Sequence, residues 1–208
     1  GRVLEATGVQ LPGALDDLYA AAEGEQALGA TPHAGKTGFR LWAPTARTVS
    51  LCLHADADGR AISRQNMHRN DSTGIWSATL EEDLSGHYYT YLVEVFVPGV
   101  GMVRNRVTDP YSVSLTMDSL RSYVVDLGAP ALKPEGWEQT AFPQKVAAQT
   151  DMSIYELHVR DFSIGDATVS VPNRGKYLAF TEADSNGMRH LAALSAAGLT
   201  DVHLLPVF

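Results

Sequence analysis

Between Tyr155 and Phe162 the chain gathers two carboxylates, an imidazole and a guanidinium in the run Tyr-Glu-Leu-His-Val-Arg-Asp-Phe. Side chains of an extended strand alternate between its faces. Ile154, Glu156 and His158 then share one face, and Tyr155, Leu157 and Val159 the other. A second run, Asp201-Val202-His203-Leu204-Leu205, repeats the arrangement, with Val202 and Leu204 on one face and Asp201, His203 and Leu205 on the other. If both apolar sets pack on helices, Glu156, His158 and His203 point into the interior of a sheet or barrel. An unpartnered buried carboxylate costs roughly several kcal/mol, so Glu156 is expected to hydrogen-bond His203 or a neighbour across the strands. Two readings stand for these groups: a satisfied polar layer, or direct contact with a substrate.

Arg160 and Asp161 fall where the first strand ends. In a (β/α)8 barrel that end is the active-site face; an Arg–Asp pair is equally an ordinary loop brace. Trp42 and Trp76 offer aromatic faces on which a pyranose can stack, or else belong to a hydrophobic core. Other chemistries are missing their signatures. The seven histidines are scattered without metal-ligand spacing, and Cys52 stands alone, which leaves no zinc cluster and no disulfide framework. No phosphate-binding loop or Gly-x-Ser-x-Gly elbow occurs, and the acidic run Glu81-Glu82-Asp83 reads as a solvated loop. A formal net charge of −8 argues against nucleic acid or an anionic membrane as partner. It suits a neutral substrate. No apolar run approaches the roughly 18 residues of a membrane helix, and no address signal is visible.

The elements that must position these groups follow from periodicity. Leu15, Leu18, Tyr19 and Ala22 mark a short helix over Pro12–Gly24, and Gly29 to Gly38, with Pro32, reads as a linker. From Gly38 to about Leu127 the period becomes two: Phe39–Trp42, Val49–Leu53, Ile75–Leu80, Tyr88–Val97, Met102–Val107 and Tyr123–Leu127 are expected strands, with turns at Asp56–Gly59 and Pro98–Gly101. Short strands at this spacing imply an immunoglobulin-like antiparallel β-sandwich. Leu132 to Thr150 lacks a period and reads as a connector. Thereafter strand, helix (Met188, Leu191 and Leu194 on one face, Gly198 at its cap) and strand form one β-α-β unit of a parallel sheet. The expected division is a helical lead-in and linker over 1–36, a sandwich over 37–128, a connector over 129–150 and the start of a (β/α)8 barrel over 151–208.

Thr37-Gly38-Phe39-Arg40-Leu41-Trp42-Ala43-Pro44-Thr45-Ala46 resembles the opening of the carbohydrate-binding family 48 module that precedes the barrel in glycogen- and starch-debranching enzymes. Thr108-Asp109-Pro110-Tyr111-Ser112 and Tyr123-Val124-Val125-Asp126-Leu127 resemble its closing segment. Ile154 to Ser163, Gly175 to Thr181 and Gly198 to Phe208 resemble the start of the catalytic barrel in pullulanases and limit dextrinases. The resemblance implies a family 13 glycoside hydrolase that cleaves α-1,6 linkages in pullulan, amylopectin and limit dextrins with retention, using a nucleophilic aspartate, an acid–base glutamate and a second, stabilising aspartate. In the family these acids follow later barrel strands, so no catalytic residue is assigned here, and these residues alone are expected to be inactive without the remainder of the enzyme. No cofactor is expected in this segment, although calcium occurs in many relatives. Bacterial relatives are commonly exported or surface-attached, and plant and algal ones plastidial. A free-standing glucan-binding module, or the equivalent part of an isoamylase or branching enzyme, remains the alternative.

Overall fold

Alternating burial along the strands decides how the first half of the chain closes on itself. The computed structural model describes residues 10–205 except 26 and 142–145; Pro143 of the connector and the Pro206-Val207-Phe208 end of the last motif lie outside the described residues. The chain divides into two units, Gly1–Glu135 and Gly136–Phe208. In the first, helix α1 (Pro12–Leu18) precedes strands β1 (Gly29–His33), β2 (Lys36–Trp42), β3 (Ala46–His54), β4 (Ala61–Asn66), β5 (His68–Arg69), β6 (Ile75–Leu80), β7 (Tyr88–Val97), β8 (Gly101–Val107) and β9 (Ser122–Tyr123). They form two sheets of antiparallel pairs, β1-β2-β6-β5 and β4-β3-β7-β8, with β9 added to β7. Phe39 and Leu41 of one sheet pack with Val49, Leu51, Leu53, Tyr89 and Tyr91 of the other. The Phe39 and Tyr89 rings meet edge-on at 5.1 Å. The expected sandwich is therefore present.

Three local expectations change. Gly29–His33, read as linker, is the edge strand β1, paired from Gly29↔Arg40 to His33↔Lys36. Pro32 is tolerated because an edge strand leaves some N–H positions unused. Ala34 and Gly35, both at positive φ (52° and 78°), make the two-residue turn into β2. The helix expected over Pro12–Gly24 stops at Leu18, and Ala20–Ala22 continue as a 3₁₀ turn. The last strand covers only Ser122–Tyr123: the Val124 N–H still donates to the His87 carbonyl, but the Val124 carbonyl takes the Gly86 N–H while the His87 N–H turns to Leu84, and the regular ladder ends there.

In the second unit, β10 (Ile154–His158) and β11 (Asp201–Leu205) pair in parallel, from Ile154↔Asp201 to His158↔Leu205. Ser153 and Thr200 clamp the start of the pair by reciprocal backbone-to-hydroxyl bonds of 2.8 and 3.1 Å. Helix α2 (Val159–Ser163) follows β10 directly, and α3 (Asn186–Ala196) leads to β11. Ser185 caps α3 through the Met188 N–H, and Gly198, at φ +105°, ends it in the left-handed conformation expected.

The first unit also buries a carboxylate. Asp109 is 3% exposed. Its Oδ2 accepts the hydroxyls of Tyr89 (2.8 Å) and Tyr91 (3.1 Å), and its Oδ1 accepts the Tyr111 N–H (2.8 Å). Its own N–H donates to the hydroxyl of buried Ser122. Burial pushes the Asp109 carboxyl above its ordinary value of 3.8, and the three donors pull it part of the way back. Burial and the adjacent carboxylate likewise push both tyrosine hydroxyls up. Asn at 109 must turn its NH2 toward one of these donors, so Asp109→Asn is expected to lower stability by about 1–3 kcal/mol in urea unfolding. The folded value lies above the unfolded one, so the contribution tied to ionisation is complete below pH 3.8 and is lost as pH rises through the folded value. The difference between wild type and Asp109→Asn should accordingly shrink on going from acid to neutral pH.

Candidate functional site

The parallel register sets Glu156 directly opposite His203, and Glu156 Oε2 lies 2.9 Å from His203 Nδ1. This is the cross-strand partner the sequence called for. The preceding residue, Tyr155, meets His190 of α3 edge-on with ring centroids 5.8 Å apart, so the Glu156 side chain projects from the opposite face. Both members of the pair are more than half exposed. His158 ends β10 and accepts the Asp161 N–H at its Nδ1 (3.4 Å). Arg160 and Asp161, expected in a loop, lie instead in the single-turn α2, where Arg160 Nη1 donates to Asp161 Oδ1 at 3.2 Å. Backbone geometry thus groups Glu156 with His203, and His158 with Arg160 and Asp161.

Sequence reasoning missed how rigidly the segment between α2 and α3 is built. Phe162 and Phe180 stack at 4.5 Å with planes 3° apart. Asp166 accepts the N–H and hydroxyl of Thr168, the Asn186 amide and the Gly187 N–H; these bonds hold its carboxyl down to about 2. Glu182 accepts from Ser170 and Asn173 and is also held below its usual range. The signal was legible as Asp-x-Thr at 166–168, where an aspartate closes on the backbone two residues ahead. At Gly187 a Cβ would lie 2.6 Å from Phe162 Cζ, so the helix start and the stacked ring fit only with glycine there.

In the first unit the two tryptophans separate. Trp76 is 6% exposed within the core, and its indole N–H donates to the Ala43 carbonyl. Trp42 is half-buried, its indole N–H donating to the Thr73 carbonyl at 3.0 Å. It lines a cavity of about 360 Å³ with Tyr19, Leu28 and Tyr111, and with Asp16 and Glu23. A second cavity, about 340 Å³, is lined mainly by polar groups, Thr48, Ser50, Arg64, Asn66, Glu94 and Arg104, with Met67 and Trp76 at its apolar side. Several of its groups are paired with one another, Arg104 to Glu94, Thr48 to Glu94 and Ser50 to Asn66. Thr48 and Ser50 alternating with Val49 and Leu51 was the sequence signal for it. Among the described residues no group of three or more His, Cys, Asp or Glu is placed to hold a metal ion, and no helix is long and apolar enough to cross a membrane.

Residues 27–112 match the family described as carbohydrate-binding module 48 (isoamylase N-terminal domain). Over its whole length the chain is similar to pullulanases: it is 44% identical over 212 residues to a pullulanase of Klebsiella pneumoniae and 40% identical over 210 residues to pullulanase 1, chloroplastic, of Arabidopsis thaliana. Each alignment covers 100% of this chain, and 19% and 21% of those proteins. The chain thus spans about one fifth of the length of these curated relatives. The crystal structure of ligand-free PulA from Klebsiella pneumoniae superposes with a TM-score of 0.85 over 93% of this chain and 19% of its own, at 44% identity. A 1,4-alpha-glucan branching enzyme of Rhodospirillum rubrum is 28% identical over 82% of this chain and 21% of its own length. The alternative branching-enzyme reading is the more distant likeness.

Two measurements check the second unit. Gly187→Ala should destabilise it by about 1–3 kcal/mol, through overpacking against a ring that its stacked neighbour holds in place, with loss of amide-exchange protection in α3. The amide shifts of Thr168 and Gly187 should titrate with a midpoint near 2, the value of Asp166. Because that folded value is depressed, the stabilisation is present above 3.8 and disappears as pH falls through it.

Proposed function

We propose that this chain is part of a starch-debranching glycoside hydrolase that cleaves α-1,6-glucosidic linkages in pullulan, amylopectin and limit dextrins with retention of configuration. The observation that carries the reading is the 44% identity to a pullulanase along the whole chain, across both units. The sandwich would serve as an α-glucan-binding module, and a Klebsiella pneumoniae pullulanase crystallised with maltotriose is a structural relative. The second unit would open a (β/α)8 barrel. Supporting this, its two-stranded sheet leaves Ile154 60% and Leu205 39% exposed beside Glu156 and His203, and two strands alone bury too little for stability. On this reading Glu156 and His203 form a polar layer inside the barrel. Arg160 and Asp161, just past the carboxyl end of β10, would face the substrate cleft.

Among the described residues, the carboxylates with the most strongly shifted ionisation are committed to structural roles. A retaining glycosidase needs a nucleophilic carboxylate and a nearby acid whose ionisation is pushed up. Asp166 and Glu182 are shifted the opposite way by the loop they hold together. Asp109 is shifted up, but it is sealed in the sandwich with its oxygens committed to Tyr89, Tyr91 and Tyr111. The reactive acids would come from polypeptide other than these residues. The complete protein incubated with pullulan should release reducing ends as the α-anomer first, followed by NMR, while the 208-residue chain releases none. A β-anomer as first product, or transfer that creates new branches without net release, would overturn the assignment.

A further inference from the structure

The cleft between α1, the 3₁₀ turn after it and the first sheet is lined by Trp42, Tyr19, Tyr111 and Leu28, with Asp16 and Glu23 also facing it. Its aromatic walls are set before any ligand arrives. Trp42 is fixed at its edge by the Thr73 carbonyl. The Tyr19 hydroxyl accepts from Arg69 Nη2 at 2.9 Å, and the same guanidinium sits 6.0 Å from the Tyr19 ring centre. Tyr111 is anchored through its N–H to buried Asp109. Rings held in this way lose little freedom on binding. They are half-buried and not sealed in the core.

The chemistry of the lining selects the ligand. Aromatic faces favour the C–H face of a pyranose, while the exposed carboxylates of Asp16 and Glu23 are acceptors for hydroxyl groups and repel anions. The volume, about 360 Å³, lies at the small end of the roughly 300–1,000 Å³ range of ligand pockets, fitting a short stretch of sugar and not a long chain. The cavity at Arg64 and Arg104 is also lined by Met67 and Trp76, but these two are only 5% and 6% exposed and belong to the core, and Arg104 is paired with Glu94. We infer that the Trp42–Tyr19–Tyr111 cleft is a binding subsite for a short α-1,4-linked glucan segment. The choice of an α-glucan among pyranosides rests on the function proposed above; the location of the site rests on the cleft alone.

The test is calorimetric titration of the 208-residue chain with maltoheptaose. Trp42→Ala should weaken binding on the order of tenfold, the loss expected when a stacked ring is removed. If that variant fails to fold, the exposed pair Asp16→Asn with Glu23→Gln keeps the question answerable and should weaken binding severalfold. Arg64→Ala with Arg104→Ala should leave it unchanged. Binding by the wild type that survives both cleft changes, or that is lost only in the arginine variant, would overturn the cleft as the site while leaving the debranching assignment intact. Absence of binding by the wild-type chain would overturn the subsite too. The debranching assignment is judged separately, by hydrolysis of pullulan with the complete protein.

Discussion

One carboxylate oxygen organises the sandwich. Oδ2 of Asp109 receives two tyrosine hydroxyls from the same strand, β7, while the other oxygen fixes the backbone that carries Tyr111. Each tyrosine thereby keeps its ring in the apolar interior and its polar end satisfied, the condition under which a buried phenol is stabilising. The same residue reaches Ser122 in β9 through its N–H, and Ser122 in turn bonds Ser112 at 2.6 Å. The closing segment of the sandwich is tied to its central strand by this polar knot, together with Val124 in the core and the Tyr88–Tyr123 ring contact. The aromatic wall of the Trp42 cleft depends on it, since Tyr111 is held there by the same carboxylate.

The second unit uses carboxylates differently. Asp166 and Glu182 are not sealed from water; they serve as local clasps that gather N–H and hydroxyl donors from one loop. Their rigidity combines with the Phe162–Phe180 stack and with the close approach at Gly187. The result is a firm connection attached to an open, two-stranded sheet. Buried Asp109 and the clasps Asp166 and Glu182 therefore respond to acid in opposite senses, one by desolvation and the others by hydrogen bonding.

Legibility in the sequence followed physical regularity. Strands β2, β3, β6 and β7 were visible because one face of each is buried, and burial imposes a period of two. Strand β4 escaped notice because all its residues from Ala61 to Asn66 are exposed, so nothing forces an alternation. Strand β1 was hidden by Pro32 and by the glycines that build its ends, which elsewhere signal loops. The Glu156–His203 contact was readable because parallel pairing in register needs only the two runs to begin together. The Trp42 cleft was not, since Tyr19 and Tyr111 come from segments remote in the chain and are brought together by the fold. Trp42 and Trp76, indistinguishable by type, differ only in which surface of the first sheet's assembly encloses them.

The margins of the sandwich carry a consequence for association. One outer strand of the larger sheet, β4, bears Arg64, and the other, β8, bears Arg104 and Arg106. The smaller sheet ends on β1, where Pro32 offers no amide hydrogen, and on the two-residue β5. Like charges and a missing donor discourage a strand from another copy from adding to any of these borders. The sandwich can thus be present at high concentration without polymerising through its own backbone.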